Sequence, residues 1–132
     1  MRYRPGNSQS IHDRVIQVVA EVQRDFTTYT NPDGLHNTFV EIVGQQVYPD
    51  LILCSRGTNT IEHLIEVETA ESVTEDESAQ WALYAQGPGQ FWLMIPSTSF
   101  GLAQEICRRR LIHARFGRWW YGTSGIAFDW VS

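Results

Sequence analysis

Apolar positions fall into distinct rhythms along the chain, and each rhythm predicts an element. Ile11, Val15, Val18, Val19, Val22 and Phe26 recur at helical spacing, so a helix is expected over residues 11–27. Ser10 stands where it can cap that helix, Asp13 falls in its first turn, and Arg14, Gln17, Glu21 and Asp25 flank the stripe. Residues 1–9 are expected as a loose arm. Asn31-Pro32-Asp33-Gly34 is a turn sequence, after which residues 38–43 alternate as a short strand and Gly44-Gln45-Gln46 turns the chain back. Two apolar stretches, 51–54 and 61–67, flank the polar segment 55–60, whose Gly57 and Asn59 suit a hairpin loop. Together with strand 38–43 they predict a three-strand meander with residues 50–54 in the middle.

The rest of the chain alternates helix and strand. Glu75-Asp76-Glu77 reads as the acidic first turn of a helix reaching about residue 86, and Gly87-Pro88-Gly89 ends it. Residues 90–96 form a buried-looking strand, so strand, helix and strand make a right-handed crossover with 91–95 parallel to 61–67. A third helix is expected over 99–112. A closing hairpin follows, residues 115–121 and 126–131, turned by Gly122-Thr123-Ser124-Gly125.

The hairpin of 50–68 carries the chemistry. With its turn near Gly57 and Thr58, facing residues have numbers that sum to about 116, which sets Asp50 opposite Glu66 on one face of the sheet. Glu68 and Glu62 share that face by parity, while His63 points to the other. Pro49 cannot donate a ladder hydrogen bond, so the strand is expected to begin irregularly and to aim Asp50 away from regular pairing. Opposed carboxylates repel, and a divalent cation is the commonest reason to place them so. The alternative is a pair of edge carboxylates on a solvated sheet face, where charge guards against aggregation.

Composition narrows the picture. At 132 residues, 42% apolar and 19% charged, the chain is expected to be one globular domain. Its longest apolar run is too short to cross a membrane and its start has no apolar leader, so the cytoplasm is the expected location. Cys54 and Cys107 lie inside apolar patterns without ligand spacing and read as buried structural thiols, and His12, His36, His63 and His113 show no ligand spacing either. The net charge is −5, yet residues 100–132 hold five Arg against two acids, so any nucleic-acid surface would be local, near residues 108–118. All ten basic residues are Arg.

The order helix, three-strand meander, helix, strand resembles the core of the PD-(D/E)xK nuclease superfamily. Pro49-Asp50 is similar to its PD element, and Glu66-Val67-Glu68 stands in the place of (D/E)xK. Gln80-Trp81-Ala82-Leu83-Tyr84 resembles the QxxxY element of the RecB-like exonuclease branch, its spacing setting Gln80 and Tyr84 on one helix face. Glu21 resembles the extra acid that many members carry on the first helix. The resemblance covers about residues 10–96 and implies an α/β, restriction-endonuclease-like core, extended here by a C-terminal helix and hairpin.

It further implies Mg²⁺ or Mn²⁺ held by Asp50, Glu66 and the carbonyl of Val67, polarising a scissile phosphate and activating water. Glu68 replaces the usual Lys and would act as base or second metal ligand, with Gln80 orienting water or phosphate and Glu21 assisting. Tyr84, Arg108, Arg109 and Arg115 would contact nucleic acid. The implied function is a metal-dependent endo- or exonuclease-like domain acting on DNA, working as a homodimer or as a subunit of a larger system. The alternatives are a catalytically inactive nuclease-fold domain that binds nucleic acid or protein, and an unrelated α/β binding domain.

Overall fold

In the computed structural model, which describes residues 6–131, the chain folds as three helices around a mixed sheet of six strands. Helix α1 spans Gly6–Glu21, four residues ahead of the expected cap at Ser10, so part of the expected arm is helical; residues 1–5 of that arm lie outside the described residues. The helix also stops short of residue 27. Val22 is 58% exposed, and Phe26–Thr30 forms strand β1 instead, as its β-branched and aromatic composition favours.

Strand β1 pairs antiparallel with β4 (Leu51–Ser55), which pairs antiparallel with β5 (Ile61–Val67). A three-strand unit with β4 in its middle therefore exists, but its outer strand is β1. The segment expected in that place forms β2 (Val40–Ile42), which pairs only with β3 (Gln45–Val47) in a separate two-stranded ribbon. Val43 and Gly44 turn this ribbon with φ of 49° and 75°, the backbone of a type I′ turn. Two adjacent left-handed residues match the strand twist and close the hairpin tightly.

The crossover from β5 through α2 (Ser78–Tyr84) to β6 (Gln90–Pro96) is parallel, as the pattern predicts. Gly89 permits the return: its φ is 73°, and a Cβ there would lie 2.7 Å from the Glu62 main chain. Helix α3 (Phe100–Arg110) makes a second crossover to β7 (Arg115–Gly122), parallel to β6, and β8 (Gly125–Trp130) closes the edge as the second arm of a hairpin.

Alternation along the strands sorts the core into two layers. Leu51, Leu53, Ile65, Val67 and Met94 face α1, against Val15, Ile16 and Val19. Ile52, Leu64, Leu93 and Ile95 face α2 and α3, against Trp81, Tyr84, Ala103 and Ile106. Helix α1 touches β1, β5 and β8, strands from both edges and the middle, so the sheet curls around it. Its buried face is His12, Val15, Ile16 and Val19, rotated by about one residue from the stripe expected from Val18 and Val22. No helix among the described residues is long and apolar enough to cross a membrane.

Candidate functional site

Asp50 precedes β4 and is placed there by Asn31, the residue that follows β1. The buried Asn31 amide donates to the carbonyls of Pro49 and Thr38, both at 2.7 Å, and its Oδ1 accepts from the main-chain N–H of Asn37 and Thr38. The Asn31 main-chain N–H donates to the Asp50 carbonyl at 3.0 Å. One side chain thus satisfies four main-chain groups of an irregular segment that would otherwise be costly to bury.

The β4–β5 ladder ends at Leu51 and Ile65, and continuing that register sets Asp50 opposite Glu66. There the side chains take over from the main chain. The Asp50 N–H donates to Glu66 Oε1 at 2.9 Å, and the Val67 N–H donates to Asp50 Oδ2 at 2.8 Å. Asp50 is 2% exposed and Glu66 fully buried. Each carboxylate accepts a main-chain donor from the other's strand, which offsets part of their desolvation and mutual repulsion.

A third titratable group joins them, and sequence reasoning misses it. His12 is fully buried on α1, with Nε2 3.0 Å from Asp50 Oδ2 and Nδ1 3.1 Å from Asp13 Oδ1 and 3.3 Å from Asp33 Oδ2. The signal for it is its position: His12 continues the buried series Val15, Ile16 and Val19, where a polar side chain needs a partner. Asp50, Asp33, Gln80, Tyr84, His36 and Tyr48 line a cleft of about 500 Å³. Gln80 Nε2 donates to Tyr84 Oη at 3.0 Å across one helical turn, and the rings of His36 and Tyr48, which also line the cleft, stack at 4.2 Å.

The remaining sequence-predicted residues lie elsewhere. Glu68 is fully buried, but its carboxylate accepts from Ser72 Oγ at 2.6 Å and from Trp81 Nε1 at 3.0 Å, and its carbonyl accepts from Trp119 Nε1. It binds α2 to the end of β5 and is not among the residues lining the cleft. Glu21 ends α1 as an exposed residue bonded to Gln17, about 13 Å along the helix from His12. Arg108 pairs with Glu105, and Arg109 pairs with Glu75 and Glu105, all on the surface of α3 and the segment before α2. The Arg115 guanidinium lies 5.7 Å from the centre of the Trp92 ring. None of Glu21, Arg108, Arg109 or Arg115 reaches the cleft.

His63 accepts from Trp92 Nε1 at 3.0 Å, away from Asp50, and burial draws its basicity below that of a free imidazole. Both cysteines are free and buried. Burial pushes the Cys107 thiol up to about 11 and raises Cys54 as well, so neither is a reactive thiolate at neutral pH.

Comparison of the chain with protein-family models, with curated proteins and with solved structures gives no match. The functional reading therefore rests on the cleft itself.

Proposed function

We propose that the cleft hydrolyses phosphodiester bonds of DNA with Mg²⁺ or Mn²⁺, as a restriction-endonuclease-like domain of the PD-(D/E)xK kind. The observation that carries this reading is the pairing of Asp50 with the buried Glu66 across the end of β4 and β5, at a cleft that Asp50, Gln80 and Tyr84 line. The donor set fits the ion: two carboxylates and the Val67 carbonyl are hard oxygen ligands, which Mg²⁺ takes while keeping water and phosphate in its other positions. Such an ion would polarise the phosphate and acidify a bound water. Asp13, Asp33, Asp50 and Glu66 lie in or beside this group with one imidazole, so a phosphate could not approach these described residues without a cation.

The chain's own residues supply the positioning. The Val67 N–H fixes Asp50, the Asp50 N–H fixes Glu66, and the Gln80–Tyr84 pair offers an amide and a phenol to a phosphate or its attacking water. Free buried thiols suit a cytoplasmic setting, and so small a domain would work on DNA as a homodimer or within a larger assembly. A second reading, an inactive domain of the same fold that binds nucleic acid or protein, is favoured by one observation. Glu68 stands where the fold's Lys belongs, is held by Ser72 and Trp81, and the chain has no Lys to replace it.

Cleavage of single- and double-stranded DNA with Mg²⁺ or Mn²⁺ tests the proposal. Asp50→Asn and Glu66→Gln should each lower the rate by at least about 100-fold. Unchanged cleavage in both variants would overturn it, and DNA binding without cleavage by the wild-type protein would select the second reading.

A further inference from the structure

The geometry points to a divalent transition-metal site formed by His12 Nδ1, Asp13 and Asp33, separate from the Asp50–Glu66 pair and independent of the hydrolytic reading. The three ligand atoms lie within 4.8 Å of one another. Ligands bound at 2.0–2.2 Å, with tetrahedral or octahedral angles between them, stand about 2.9–3.5 Å apart. The His12–Asp13 and His12–Asp33 separations of 3.1 and 3.3 Å fall in that range.

A second observation comes from the other side of the ring. Imidazoles that hold metals usually donate their second nitrogen to a carboxylate, which fixes the tautomer and aims the ring. Here that partner is Asp50, 2% exposed, with Oδ2 3.0 Å from Nε2 and itself held by the Val67 N–H. The ring is thus oriented from behind by a buried acid, with Nδ1 directed at two carboxylates that are 34% and 21% exposed. Asp33 lines the cleft, so an ion there would keep positions open to water.

The donor set selects the ion. One imidazole nitrogen with two carboxylate oxygens suits Zn²⁺, Co²⁺ or Mn²⁺, whereas Mg²⁺ prefers oxygen alone. An ion would clamp α1 to the loop after β1 and hold His12 in the tautomer that donates to Asp50. Without an ion, Nδ1 faces the two carboxylates directly. The two states differ at one atom, His12 Nδ1.

The test uses the chelator-stripped, untagged protein titrated with CoCl₂ and ZnCl₂, followed by Co²⁺ absorption and by nitrogen NMR of the histidines. The site predicts saturable ion binding, a Co²⁺ visible band, and a Zn²⁺-induced shift at His12 Nδ1 and not at the other histidines, while Nε2 keeps its proton. Asp13→Asn and Asp33→Asn keep shape and hydrogen-bonding oxygens, so the fold should survive while affinity falls at least about 10-fold. Glu66→Gln should leave the Zn²⁺-induced shift at His12 Nδ1 intact. No saturable binding of either ion, or an unchanged His12 Nδ1 resonance at saturating Zn²⁺, would overturn the assignment. So would binding lost in Glu66→Gln and kept in Asp33→Asn, which would instead move the ion to the Asp50–Glu66 pair.

Discussion

Glu68 stands where the resemblance places a catalytic group, and the structure gives it a framework task that can be measured. In Glu68→Ala the Trp81 indole N–H, which is fully buried, loses its acceptor, at a cost of about 1–3 kcal/mol. Ser72 fares better, because its single hydroxyl proton can turn from Glu68 to the Thr69 carbonyl, 3.2 Å away, while its oxygen still accepts from the Thr69 N–H. The space left by the side chain adds about 1 kcal/mol. The total, roughly 2–4 kcal/mol, should lower the melting temperature by roughly 6–20 °C in a domain of this size. Glu68→Gln is a different perturbation. Its amide oxygen can accept from Trp81 and its NH₂ can donate to Ser72 Oγ, so it should cost no more than about 1 kcal/mol. Urea unfolding followed by circular dichroism reads both. An alanine variant within about 0.5 kcal/mol of wild type, or a glutamine variant as unstable as alanine, would refute the framework role.

Other expectations concern the supports of the cleft and the core. Val43→Asn places Asn-Gly in the type I′ turn and removes a β-branched residue at positive φ, so it should stabilise by roughly 1 kcal/mol; a loss of stability would contradict the turn. Asn31→Ala should cost roughly 2–4 kcal/mol and speed amide exchange at Asn37 and Thr38, whose N–H groups lose Oδ1; unchanged exchange would count against the knot. Cys107 holds its proton to about pH 11 when folded, above the ordinary 9.0. Its contribution is therefore fully present below pH 9.0 and is lost between 9.0 and about 11, as the unfolded thiol ionises first. Cys107→Ala should flatten that alkaline decline, and an unchanged slope would assign it to other groups.

The β4–β5 hairpin was legible because its turn residues and strand lengths fix a register, and a bulge between Leu53 and Cys54 leaves the Leu51–Ile65 pairing intact. The crossover to β6 was legible from Gly87-Pro88-Gly89 and the apolar run behind it. Strand β1 was not, since Phe26 falls in step with the apolar spacing of α1 and only its Thr-rich sequel marks a strand. The ribbon β2–β3 alternates like a sheet strand, and nothing in its sequence says that it stays apart. In the cleft, parity brings Asp50 and Glu66 together, but parity alone cannot show that Glu68 turns to Trp81 on α2. His12 escapes notice because its partners come from β4 and the loop after β1, distant in sequence.

The central claim is that the Asp50–Glu66 pair and the Val67 carbonyl hold the ion of a hydrolytic cleft. A crystal soaked in MnCl₂ and read by anomalous diffraction tests it most directly. The account predicts a peak about 2.1–2.2 Å from an oxygen of Asp50, an oxygen of Glu66 and the Val67 carbonyl. An empty position at saturating Mn²⁺, with the Asp50–Val67 and Asp50–Glu66 hydrogen bonds unchanged, would contradict it.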